Sequence, residues 1–210
     1  MNIGILGTGT MGAGLGKLWA GHGHQVFFGS RNPAKAQALA ESVGANARGG
    51  TIVEAAEFAE AVLLATPWEA TEAALKGAGD LAGKIVIDCT NPLVSDYMEL
   101  AVGHSTSGAE EIAKWAPGAS VVKAFNAIFG RVINSGNPNF GGQPATVFYC
   151  GDDEAAKAKV AGLVEEIGFD PVDAGPLENA RYLEPLGELL VQLAYDLAMG
   201  TNIAINLVRR

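Results

Sequence analysis

The run Asn2-Ile3-Gly4-Ile5-Leu6 leads without a break into Gly7-Thr8-Gly9-Thr10-Met11-Gly12, and helical spacing follows as far as Gly21. A G-x-G-x-x-G that closes an apolar strand and opens a helix constrains this chain more than any other feature, because it fixes a strand, a tight turn and a helix in one unit. Gly7 permits the turn, Gly9 lets a pyrophosphate approach the backbone, and Gly12 lets the helix pack closely on the strand. The unpaired N–H groups of the first helical turn then face the phosphates of a dinucleotide.

The rest of the chain repeats the alternation. Short β-rich runs at Asn2 to Leu6, Gln25 to Phe28, Ala61 to Ala65, Lys84 to Asp88, Ser120 to Phe125, Thr146 to Cys150 and Pro171 to Val172 are separated by Ala/Leu/Glu/Lys stretches with helical spacing. Such an order predicts an α/β chain with a doubly wound, mainly parallel sheet. Residues 1–176 are expected to form the dinucleotide-binding domain, and 177–210 a short C-terminal helical extension of the same compact unit. The stretch Asn134 to Pro144, rich in Gly, Asn and Pro, is expected to be neither helix nor regular strand, and so a connector or a lid.

Composition narrows the function. With 210 residues, 49% hydrophobic and 18% charged, the chain can bury one substantial core. A net charge of -9, with 14 Lys and Arg spread along the chain, gives no basic stripe, so neither nucleic acid nor an anionic membrane is an expected partner. No run of apolar residues is long enough for a membrane span, and the first residues enter a strand with no basic leader or cleavage site. Cys89 and Cys150 lie in unrelated apolar runs and fit reduced thiols. A cytoplasmic protein is expected.

The end of the second strand tells which dinucleotide. About 20 residues past the glycines an NAD-binding chain carries an acidic residue for the ribose hydroxyls. Here stand Gly29, Ser30 and Arg31. Arg31 can stack on adenine and bind a 2'-phosphate, Ser30 adds a hydroxyl, and Lys35 brings a second positive charge at the start of the next helix. The expected cofactor is NADP(H).

Two further loops follow strands, at Thr66-Pro67-Trp68 and Asn91-Pro92, where ligands sit in open α/β sheets. Their prolines stop the strand and hold a turn, which suits walls beside the adenosine and the nicotinamide ribose. Trp68 either packs on the cofactor or is tucked into the core at a helix start. Cys89 has apolar neighbours and no adjacent histidine, and His22, His24 and His104 fit helix-end or surface positions, so no catalytic side chain and no metal site are expected. Hydride transfer between stacked rings is a reaction that asks this little of side chains.

The order of "GSRNP", "ATPWEA", "DCTNPL", "VVKAFNAI", "VFYCGDDEAAK" and "DAGPLENARYLEPL" resembles the family of deazaflavin (coenzyme F420)-dependent NADP oxidoreductases, with a related likeness to the NADPH-binding domain of the STEAP metalloreductases. The resemblance implies a Rossmann-type domain and hydride exchange between NADP(H) and a flavin-like ring, with coenzyme F420, FMN or FAD as acceptor. It also implies that Thr8, Gly9, Thr10, Met11 and Gly12 wrap the pyrophosphate, that Ser30, Arg31 and Lys35 hold the 2'-phosphate, and that Trp68 lines the NADP site. Asn91, Pro92 and Asn126-Ala127-Ile128 are then expected to border the nicotinamide and the second ring. Archaeal members carry a histidine and a proline where this chain has Asn126 and Phe129. For an anionic acceptor tail the second half offers Lys123, Arg131 and Arg181 before the terminal Arg209-Arg210. Asp152 and Asp153, ahead of an Ala/Lys-rich run, read as a helix cap.

From Glu178 to Leu197, leucines at helical spacing make an amphipathic helix, expected to be interrupted early by Pro185. Its wide apolar stripe suggests a homodimer contact that also shapes the site. Two other classes stay open. A reductase of a small imine or hydroxy acid would share the glycine loop but use a large helical second domain, for which 177–210 is short. A non-catalytic NADPH sensor would need no acceptor pocket.

Overall fold

The structure, a computed structural model, describes residues 1–94, 99–208 and 210. Its main sheet has the order β10-β9-β6-β5-β4-β1-β2-β3. The strands are β1 (Asn2–Leu6), β2 (Gln25–Gly29), β3 (Ala47–Gly50), β4 (Ala61–Leu64), β5 (Ile85–Asp88), β6 (Ser120–Lys123), β9 (Thr146–Gly151) and β10 (Asp170–Asp173). Strands β1 to β6 run parallel, while β9 pairs antiparallel with β6 and β10 follows β9. The first six strands have the doubly wound order of two mononucleotide-binding halves, and the chain reverses direction across the sheet between β1 and β4.

Helices α1 (Thr10–Gly21), α2 (Pro33–Val43), α6 (Gly130–Ser135) and α7 (Glu154–Glu166) cover one face; α3 (Ile52–Phe58), α4 (Trp68–Ala78), α5 (Gly108–Trp115) and α8 (Ala180–Val191) cover the other. Strands β1, β4 and β5 are buried almost throughout, as a sheet covered on both faces requires. Trp19 of α1 is fully buried and donates its indole N–H to Leu163 O at 3.0 Å, which fixes α1 against α7. Asp153 caps α7 by accepting from Ala156 N, and Asp152 accepts from Leu177 N, so this acidic pair is structural.

Three expectations are corrected. Strand β3, Ala-Arg-Gly-Gly, has no apolar alternation to reveal it; pairing with β2 makes it a strand, and Gly49 lets α2 pass so close that a Cβ there would stand 2.2 Å from Ala36 O. The stretch Asn134 to Pro144 is not irregular throughout. Its first two residues end α6, and β7 (Asn139–Phe140) pairs with β8 (Gln143–Pro144) around Gly141 and Gly142, both at positive φ. Pro185 does not interrupt α8: the helix runs through it, with Pro185 exposed so that its ring is on the solvent side, and a π-helical turn, Gln192–Asp196, follows. Among the described residues no helix is long and apolar enough to cross a membrane.

Candidate functional site

Two cavities open at the carboxyl ends of the parallel strands, on either side of the glycine loop. The larger, enclosing about 1420 Å³ that is partly open to solvent, is walled by Gly7, Thr8 and Gly9, by Ser30, Arg31 and Lys35, and by Thr66 and Pro67. The smaller, about 530 Å³, is lined by Met11, Cys89, Asn91, Asn126, Ala127 and Ile128, with Phe125, Phe129 and Gly130 beside them and Gly187, Leu190 and Val191 of α8 closing the far side.

The glycine loop has the shape a pyrophosphate needs. Gly7 has φ 120°, and a Cβ on it would meet Ala65 O at 2.2 Å; a Cβ on Gly12 would stand 2.2 Å from Gly7 O. A Cβ on Gly9 would meet nothing within 4 Å. Two glycines are thus needed for packing, and the third leaves open the space where a phosphate approaches backbone N–H groups. The first turn of α1 holds no acidic side chain and no capping side chain competes for those groups.

At the end of β2, Ser30 Oγ accepts from Asn32 N at 3.1 Å, which leaves its hydroxyl proton free to donate. Asn32 in turn caps α2 by accepting from Lys35 N, and Pro33 sits at the first helical position, so the loop is locally preorganised. Arg31 and Lys35 are exposed, and among the described residues neither is in an ion pair. These residues fit an adenosine 2'-phosphate.

Polar contacts between chain segments far apart in sequence build the smaller cavity. Asn91 Nδ2 donates to Asn126 O at 2.7 Å, while Asn126 Nδ2 donates to Asn91 Oδ1 at 3.1 Å and to Leu183 O at 2.6 Å. Gly187 lets α8 approach this amide pair: a Cβ there would lie 2.9 Å from Asn91 and 3.0 Å from Asn126. Phe125 has φ 64°, a conformation that bulky residues rarely adopt, and its ring makes edge contacts with Trp19 and Phe169. Asn134 Nδ2, in α6, donates to Thr10 O at 3.1 Å and ties α6 to the start of α1. Burial, and then the charge of Asp88, push the Cys89 thiol up to about 12, so it is a protonated wall group and not a nucleophile.

Behind this cavity lies an ionic cluster. Lys123 Nζ is 2.7 Å from Asp88 Oδ2 and 3.1 Å from Glu184 Oε1, and donates to Thr90 O at 2.8 Å. Glu184 accepts from Gly108 N at 2.8 Å and Ala109 N at 3.0 Å, and Asp88 Oδ1 accepts from Thr90 N and Oγ1. Burial alone would lower the Lys123 pKa, but the two carboxylates outweigh it and hold it above the ordinary lysine value. Burial raises the Glu184 pKa against the opposing pull of Lys123.

Several expected site residues stand elsewhere. The Trp68 ring lies against Trp115, 5.3 Å between centroids and tilted by 35°, and over Gly108, and it lines neither cavity. Pro92 is buried beside Gly108 and lines neither cavity. Thr10 contacts Gly130. Of the cations considered for an acceptor's tail, Lys123 is sealed in the buried cluster, and Arg181 is bound to Glu110 and Glu178. Arg131 is exposed beside Gly130, and Arg209 lies outside the described residues. The buried cluster itself is not anticipated from sequence. Its signal was there, since Asp88 and Lys123 are opposite charges ending two apolar strands that pair in register.

A doubly wound sheet with a glycine loop at its switch point and an unpaired cation pair at the end of β2 defines a dinucleotide-binding protein of Rossmann type. The sequence profile of the family described as "NADP oxidoreductase coenzyme F420-dependent" matches residues 2–92. An F420-dependent NADP reductase from Methanothermobacter marburgensis is 33% identical over 212 residues, covering 92% of each chain. A crystal structure described as a candidate F420-dependent NADP reductase from Arthrobacter sp. FB24 superposes with a TM-score of 0.89 at 31% identity, covering 100% of both chains. Metalloreductase STEAP3 from Rattus norvegicus is 34% identical over 184 residues; these are 88% of this chain and 36% of that protein, so the chain spans about a third of this relative. The chain belongs to the coenzyme F420-dependent NADP oxidoreductase family and is an NADP-dependent oxidoreductase.

Proposed function

We propose that the chain transfers a hydride between NADPH and a flavin-like ring, either the deazaflavin coenzyme or FMN/FAD, with the two rings meeting in the smaller cavity. The observation that carries this reading is the position of the glycine loop, whose Gly7 to Gly9 wall the larger cavity while Met11 faces the smaller. A dinucleotide lying across the loop would have its adenosine end beside Arg31 and its nicotinamide end beside Asn91 and Asn126. When bound, the nicotinamide supplies or takes up the hydride. The protein's own residues hold and enclose it: Arg31, Ser30 and Lys35 grip the 2'-phosphate, and the loop N–H groups take the pyrophosphate. Ile128, Phe129, Leu190 and Val191 keep water from the ring faces, and the two asparagines orient polar edges. The cavity walls consist of apolar groups, two amides and a protonated thiol, which suits a reaction needing no side-chain proton transfer.

The test is anaerobic mixing of the protein with NADPH while nicotinamide absorbance is followed as deazaflavin coenzyme, FMN, FAD or riboflavin is added. Oxidation by one of these is expected. Turnover of a small imine or hydroxy acid in their place would replace the reading, and tight NADPH binding with no acceptor would favour a sensor.

We also infer a homodimer in the cytoplasm, with α8 and the following turn at the contact. Leu189, Tyr195, Leu197 and Met199 are exposed there, and Tyr195 packs edge-on against Phe129 at the cavity wall. Light scattering at micromolar concentration is expected to give twice the chain mass; a monomeric mass would overturn the dimer.

A further inference from the structure

The buried ionic cluster has no part in the hydride step as drawn. Its three side chains come from the ends of β5 and β6 and from α8, and each is at most 1% exposed. Each also stands just ahead of a wall of the smaller cavity: Asp88 before Cys89 and Asn91, Lys123 before Phe125 and Asn126, and Glu184 one turn before Gly187.

We propose that Asp88, Lys123 and Glu184 are positioning residues that hold α8 at a set distance from the ends of β5 and β6, and so fix the width of the cavity in which the acceptor ring sits. A buried ion cluster adds little net stability compared with apolar packing, but it defines one arrangement sharply, because any slip leaves a charge without its partner. Lys123 makes three contacts, two to the end of β5 and one to α8, and Glu184 ties α8 to the first two backbone N–H groups of α5. Asn126, donating to Leu183 O, and Arg181, bound to Glu110, also hold α8, and the cluster adds ties to β5, β6 and the start of α5. The tolerance is small, since Gly187 already lies against both asparagines with no room for a methyl group. None of the three residues lines the larger cavity. Disturbing the cluster is therefore expected to change how the acceptor is handled and to leave NADPH affinity nearly unchanged.

The inference rests on the reading of the smaller cavity as the acceptor site, and the experiment separates the two. Glu184→Gln removes the charge that Lys123 holds and keeps one of the two oxygens that accept from Gly108 and Ala109. In the full-length protein, hydrogen exchange in peptides from α8 and the start of α5 is expected to quicken by about tenfold, with β1, β2 and β4 unchanged. In turnover, the acceptor KM is expected to rise by about tenfold while the NADPH Kd moves by less than about twofold. Exchange unchanged in α8, or quickened equally across the whole sheet, would overturn the proposal, as would a parallel loss of NADPH affinity. Lys123→Arg, which retains the charge but enlarges the head group, is the second variant should the first not fold, and is judged by the same measurements. If the wild-type protein reduces no acceptor, the reading of the cavity fails, and the exchange pattern still decides whether the cluster positions α8.

Discussion

At the end of β2 two cations, Arg31 and Lys35, stand in solvent without ion pairs; at the end of β6 one cation, Lys123, is enclosed by two carboxylates and a carbonyl oxygen. The first pair is held in place by local devices: an N-cap, a proline at the first helical position and a serine accepting from the backbone two residues on. The second depends on segments far apart in the chain, with Glu184 lying beyond the last strand. A charge left free can act on a ligand, whereas a buried and fully paired charge acts on the fold. One cavity is therefore specified by chemistry at its surface, and the other by the geometry behind its wall.

The sharpest way to break this comparison is to remove one cation from each region. Lys123→Met leaves two buried carboxylates facing each other and is expected to cost about 3–5 kcal/mol of stability, measured by urea unfolding. Arg31→Ala is expected to change stability by less than about 0.5 kcal/mol, yet to weaken NADPH binding by about 10- to 100-fold with NADH unaffected, as titration of nicotinamide fluorescence would show. Loss of stability in both variants, or in neither, would erase the distinction.

The glycine loop offers a third cut. Gly7→Ala places a methyl group 2.2 Å from Ala65 O at a φ of 120° and is expected to destabilise by roughly 2–5 kcal/mol and to abolish NADPH binding. Gly9→Ala meets no protein atom, so its fold is expected to survive while NADPH binding falls; calorimetry of the two side by side separates packing from ligand approach.

Smaller effects come from titration. Cys89, with a pKa pushed up to about 12 by burial and Asp88, is expected to resist alkylation at pH 8, where about one thiol in ten thousand is ionised. Rapid labelling of Cys89, mapped by peptide mass spectrometry, would show that the smaller cavity opens. The surface behaves differently. Glu110 is held below its ordinary value, first by the Arg181 hydrogen bond, and Asp153 by the backbone N–H of Ala156. A carboxylate lowered on folding contributes stability above its unfolded pKa and loses it as pH falls through the folded one. A modest decline in stability is therefore expected below about pH 4.5, and Glu110→Gln should flatten it.

These contrasts also explain what could be read from the sequence. The strand–loop–helix unit, the missing acid after β2 and the helix starts at Asn32 and Asp153 are local, and sequence spacing exposes them directly. Strand β3 could not be seen, because Ala-Arg-Gly-Gly becomes a strand only when β2 supplies a partner and α2 covers it. Trp68 admitted two readings, and the ring it packs against, Trp115, lies in another helix that sequence spacing does not bring near it. Lys123 looked available for an anion because its two partners are far away in sequence. The positive φ of Phe125 has no sequence signal, and the rings it packs against, Trp19 and Phe169, are far away in the chain.

The account stands on NADPH entering from the Arg31 side and giving up its hydride in the cavity beneath α8. Its most direct test compares kcat/KM for NADPH and NADH, under anaerobic conditions, with deazaflavin coenzyme and with FMN as acceptors. NADPH is expected to be preferred by at least about tenfold, in line with the charge-assisted contacts of Arg31, and one of the two rings to accept the hydride. Equal use of NADH, or NADPH that binds and is oxidised by neither ring, would contradict it.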